Sequence, residues 1–184
     1  MITREEAFNL IQKYLKNKEN IQYAISLEFL LREMAKRLNK NENIWGLTGL
    51  LQNIDYEYSE KSPEIRGNLS SQILDGLLPN QCLDAIKSSN YPYTNHIPAT
   101  ILDKSLLAAV SLMELIVKTA ENTPSKKISD IDLKTIIDKF NDKKFAPNIK
   151  RSKIELCGDI GIELEAFFKL SLETLKSISD QIGL

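Results

Sequence analysis

Apolar residues recur at helical spacing along most of the chain. Phe8, Ile11, Tyr14 and Leu15 share one face of a predicted first helix ending near residue 15, and Thr3 and Glu6 have the spacing of a capping box at its start. Ile21, Ala24, Leu27, Leu31, Met34 and Leu38 form the stripe of a second helix over 20–38, broken by Asn39, Lys40 and Asn41. A third helix is expected over 42–53, with a loop over 56–63, a fourth helix over 66–77 and a fifth that carries Pro79 in its first turn and ends near 88. The strongest apolar segment, 101–117, is apolar nearly all round at residues 106–110, the pattern of a central buried helix. After a linker over 121–127, Ser129 together with Asp132 is expected to start a helix running to 140. A short helix over 150–157 and a long amphipathic one over 162–182 complete the chain. No run alternates with period two, so the expected fold class is all-α, a bundle of about eight to ten helices.

With 184 residues, a single domain over 1–184 is expected: a core over 1–120 and C-terminal helices over 128–184 packed on it. The formal net charge of -1 argues against a nucleic-acid binder. The short lysine runs at 126–127 and 143–144 read as solvated helix ends and loops. No stretch reaches the roughly 18 apolar residues of a membrane span, and residues 1–9 lack an apolar signal core. Cys82 and Cys157 are far apart and read as two buried thiols. These features together predict a cytoplasmic protein that does not bind membranes.

Phosphate-loop, dinucleotide and nucleophile-elbow motifs are absent. His96 is the single histidine, so a multi-histidine metal site is excluded by count.

Four stretches, taken in order, resemble the HD-domain superfamily of metal-dependent phosphohydrolases. Residues 45–57, WGLTGLLQNIDYE, resemble the family's WGxxGLLHD-x-DYE helix, and residues 85–91, AIKSSNY, resemble its AIxxHNY. Residues 104–117 resemble its KALYAADxLxGLI helix, and residues 139–146, KFNDKKFA, resemble the KFKDKxFA stretch of one bacterial subgroup. The resemblance implies a site in which His and Asp side chains bind one or two divalent metals and activate a water. Mapped by motif, those ligand positions fall on Gln52, Asn53, Ser89 and Val110, with Tyr23 and Arg66 near two further histidine positions. None of the six carries the family's ligand.

A held cation lowers the pKa of bound water from about 15.7 toward about 7. Gln and Asn add no negative charge, Val110 offers no ligand atom, and Arg66 repels a dication. No metal or other cofactor is therefore expected. Two readings of Arg66 stay open: a surface residue at a helix start beside a collapsed pocket, or an anchor for a phosphate-bearing small molecule, aided by Gln52, Asn53, Ser89 and Tyr23. Val110 reads as a core residue, so Val110→Asp is expected to bury an unpaired carboxylate.

The resemblance thus implies a phosphohydrolase homologue that has lost its metal site and acts in ligand binding, regulation or interaction. The alternative is an active phosphohydrolase with an unconventional site built from Asp55, Glu57 and water. A third reading is a structural partner that pairs with an intact paralogue or with itself. Leu164, Phe167, Phe168, Leu170, Leu172 and Leu175 on the last helix are the candidate homodimer surface.

Overall fold

The computed structural model describes residues 1–182; residues 183 and 184 of the expected C-terminal unit lie outside them. The chain is all-helical, 67% helix, with no strand among the described residues. Its elements are α1 Arg4–Tyr14, α2 Lys18–Arg37, α3 Glu42–Leu51, α4 Asn68–Ile73, α5 Asn80–Ser88, α6 Tyr91–Thr94, α7 Ile101–Glu121, α8 Leu133–Asn141, α9 Arg151–Ile154, α10 Leu156–Asp159, α11 Leu164–Ser177 and α12 Ser179–Ile182. The pairs α9/α10 and α11/α12 are each one helix with a single-residue break, at Glu155 and Ile178.

Local chemistry starts most of these helices. Thr3 Oγ1 accepts the Glu6 N–H, and Glu6 Oε2 accepts the Thr3 N–H at 2.7 Å, which completes the expected capping box. Asn17 and Asn41 cap α2 and α3 with their side-chain oxygens. Thr100 and Asp103 form a second capping box, which starts α7. α8 is capped by Asp132 and begins at Leu133; Ser129 lies in a preceding 3-10 turn, so the expected start by Ser129 together with Asp132 is corrected to Asp132 alone.

The two glycines of α3 let it lie against α2. A Cβ on Gly49 would stand 2.6 Å from the Leu27 carbonyl oxygen, and one on Gly46 would stand 2.5 Å from Arg32 Nε. Arg32 is held there by Glu28, a fully buried carboxylate bracketed by Arg4 Nε at 2.7 Å and Arg32 Nε at 2.9 Å. Such a bracket adds little net stability over apolar packing, but removing one partner strands a buried charge.

α7 runs through the middle of one continuous core that extends from Ala7 to Ile182. It is longer than expected, ending at Glu121 rather than 117. Cys82 and Cys157 are free and buried, and burial raises the Cys157 thiol to about 11. On α11, Phe167, Phe168, Leu172 and Leu175 are buried by the chain itself, and Leu164 and Leu170 are half-buried against the same core. The face considered for a dimer is therefore largely used within the monomer. Among the described residues no helix is long and apolar enough to cross a membrane.

The largest departure from the sequence expectation lies between α3 and α5. The expected fourth helix over 66–77 is only α4, and Arg66 does not open it. Arg66 sits in extended backbone after a 3-10 turn, Pro63–Ile65, and before Gly67, whose φ of 82° keeps the helix from starting earlier.

Candidate functional site

An open cleft of about 820 Å³ lies against α2 and α7, and Tyr23, Gln52, Asn53, Arg66, Ser89 and Val110 all line it. The six come from five separate parts of the chain. Tyr23 lies on α2, Gln52 caps the C-terminus of α3 and Asn53 follows it. Ser89 caps α5, Val110 lies on α7, and Arg66 lies in the loop before α4.

The structure decides between the two readings of the pocket and corrects the expectation for Val110. The cleft is open, not collapsed. Val110 is half-buried on the cleft wall rather than in the core, because α7 turns its other faces, with Leu106, Ala109, Leu112 and Met113, inward.

Arg66 is clamped on both sides. Asp55 Oδ2 accepts the N–H of Gly67 at 2.7 Å and of Ser70 at 3.0 Å. Asn90 Nδ2 donates to the carbonyls of Pro63 and Arg66, both at 3.0 Å. The guanidinium carbon lies 4.6 Å from the centroid of the Tyr56 ring, and Nε donates to Ser59 Oγ at 3.1 Å. Its two terminal nitrogens have no protein hydrogen-bond partner among the described residues. A planar fork held by its stem with its outer N–H groups free suits a phosphate or carboxylate.

The orientation of Gln52 follows from proton counting. Ser89 has one hydroxyl hydrogen and gives it to the Ile86 carbonyl at 2.7 Å, so toward Gln52 its oxygen can only accept. Gln52 therefore presents Nε2 to Ser89, at 3.2 Å. Its Oε1 is left as a buried acceptor without a partner.

Sequence reasoning missed Glu114 and Lys153. Glu114 follows Val110 by one helical turn, projects into the cleft and is reached by water. Burial by the cleft walls pushes its carboxyl pKa up, while Lys153 and Arg66 draw it down. Lys153, on α9, shows the converse: burial lowers its pKa, Glu114 raises it and Lys150 lowers it. The Tyr23 phenol is pushed well above its ordinary value, first by burial and then by Glu114 and Tyr56, with Arg66 opposing. Tyr23 therefore stays a neutral donor. A signal for Glu114 was present in the sequence, since it occupies the glycine of the KALYAADxLxGLI pattern and is the charged residue of an otherwise apolar stretch. Nothing local marked Lys153.

Asp55 and Glu57 are committed elsewhere, and neither lines the cleft. Glu57 accepts the backbone N–H groups of Lys16 and Asn17 and the Asn20 side chain, each at about 2.9 Å, around the start of α2. His96 lies in an exposed stretch, 4.0 Å from Asp84 and away from the cleft.

Among the described residues no three of His, Cys, Asp or Glu stand close enough to share a metal ion. The six residues bring two amides, two hydroxyls, an alkyl group and a cation, a donor set that does not fit a hard dication. The other charged groups on the wall are Glu19 and Lys118 paired with Glu121 at 2.6 Å.

Compared with known proteins, the chain matches no family model, no curated protein and no solved structure.

Proposed function

We propose that this protein is a non-catalytic relative of the HD-domain phosphohydrolases whose former metal cleft binds a phosphate-bearing small molecule. The observation that carries the reading is the Arg66 guanidinium, stacked on Tyr56, fixed through Nε by Ser59 and free at both terminal nitrogens inside an open cleft. Lys153 adds a second cation to the lining of the cleft, and Tyr23 adds a neutral donor. Hydrolysis is not part of the proposal, because among the described residues no three His, Cys, Asp or Glu side chains converge to hold the metal that would activate a water.

Calorimetric titration with nucleotides, inositol phosphates and sugar phosphates tests it. Expected are saturable binding by a member of the panel and a loss of roughly tenfold or more in affinity for Arg66→Gln, the scale of one charge-assisted contact. Silence across the panel at millimolar concentration overturns the binding reading. Stoichiometric metal in protein purified without chelator, together with chelator-sensitive hydrolysis of an aryl phosphate, overturns the non-catalytic one.

A further inference from the structure

The cleft carries more than an anion site. Arg66, Lys153 and Glu114 line the same cavity, on three different elements, and no two of them form an ion pair within 4.0 Å. By contrast, the neighbouring Lys118 and Glu121 close on each other at 2.6 Å. One space therefore holds two cations without an ion-pair partner, Arg66 over the Tyr56 ring and Lys153 over the Tyr91 ring at 5.7 Å, and a water-reached carboxylate that likewise has none.

We propose that the ligand is an amino-bearing phosphate ester, with its phosphate on Arg66 and Lys153 and its ammonium group on Glu114. This rests on the anion-binding reading of the same cleft and adds a second, oppositely charged point of recognition. A simple phosphate dianion placed on Arg66 and Lys153 would meet the Glu114 carboxylate as a like charge in a partly desolvated space. A ligand that carries its own cation converts that repulsion into a charge-assisted hydrogen bond. The groups facing Glu114 are Tyr23 from α2, Arg66 from the loop before α4, and Lys153 from α9. Lys118 on its own helix is engaged with Glu121. Burial raises the Glu114 pKa, and an ammonium group held against it would bring that pKa back down. The preference for an amino ester should thus strengthen as pH rises through the Glu114 pKa and fade as the carboxyl is protonated.

The test compares matched probes on the full chain: 2-aminoethyl and 3-aminopropyl phosphate against ethyl and propyl phosphate, titrated calorimetrically. In the native protein the better amino ester is expected to bind roughly tenfold or more tightly than its plain counterpart, the scale of a hydrogen bond to a charged group. In Glu114→Gln that preference is expected to fall to near unity, with the plain esters bound at least as tightly as before. Glu114 is water-reached and glutamine is isosteric with it, so the variant keeps the fold; helical circular dichroism checks this. Equal binding of amino and plain esters by the native protein overturns the inference and leaves the anion site standing. A preference that survives Glu114→Gln also overturns it. If no probe binds either protein, the anion reading and the inference fall together.

Discussion

Asp55 reaches across twelve residues to accept the backbone N–H of Gly67 at 2.7 Å, and the same oxygen takes the N–H of Ser70. One fully buried carboxylate thus caps α4 and sets the loop that presents Arg66 to the cleft. Removing it leaves two buried N–H groups without acceptors. Asp55→Ala is expected to destabilise by about 2–4 kcal/mol, from a lost cap and orphaned donors. Urea unfolding should show a lower midpoint with an unchanged slope.

Gly49 and Gly46 both make room for α2, but not against the same obstacle. The Cβ of Gly49→Ala would press on the Leu27 backbone, which cannot move alone, whereas that of Gly46→Ala would press on the Arg32 side chain, which can shift while Arg4 keeps Glu28 paired. Gly49→Ala is expected to cost roughly 1–3 kcal/mol by overpacking, and Gly46→Ala less. Thermal unfolding of the two variants, compared side by side, checks the order.

Val110 and Leu112 lie on the same central helix with opposite surroundings. Leu112 is fully buried, and Leu112→Asp is expected to prevent folding. Val110→Asp faces the open cleft and is expected to cost only about 1–2 kcal/mol, part of it from the like charge of Glu114 one turn away. Circular dichroism melts of the two proteins measure the contrast, and Val110→Asp should also weaken anion binding.

Two glutamates should bend the stability–pH curve in opposite directions. Burial tends to raise the Glu57 pKa, but hydrogen bonds from Asn20, Asn17 and Lys16 outweigh it and leave it lowered. Its contribution is therefore present above the ordinary value of 4.5 and is lost as pH falls through the lowered one. Glu57→Gln should flatten the acid limb. Glu114 has a raised pKa, so its contribution is full below 4.5 and is lost as pH rises through the raised value. Relative to the native protein, Glu114→Gln should become more stable as pH increases. Denaturant unfolding of both variants at several pH values reads the two signs separately.

Helix periodicity was legible because it is local: Ile11 and Leu15, or Leu27 and Leu31, share a face whatever surrounds them. The face of α7 that borders the cleft was not legible. Residues 106–110 are apolar in nearly every direction, so periodicity could not say that Val110 points outward. The loop holding Arg66 was misread as a helix start because its geometry comes from Asp55 and Asn90, distant in sequence, and not from its own residues.

By itself the sequence determined an all-helical chain with a capping box at Thr3 and Glu6, and residues other than His, Cys, Asp or Glu at Tyr23, Gln52, Asn53, Arg66, Ser89 and Val110. Only the tertiary structure decided that those six positions share one open cleft, that Arg66 is clamped with its fork free, and that Glu114 and Lys153 face it. The physical reason is range. Helices form from hydrogen bonds and side-chain spacing within a few residues. A cleft exists only where residues as distant as 23, 66, 110 and 153 are brought together by the packing of a core that no single segment specifies.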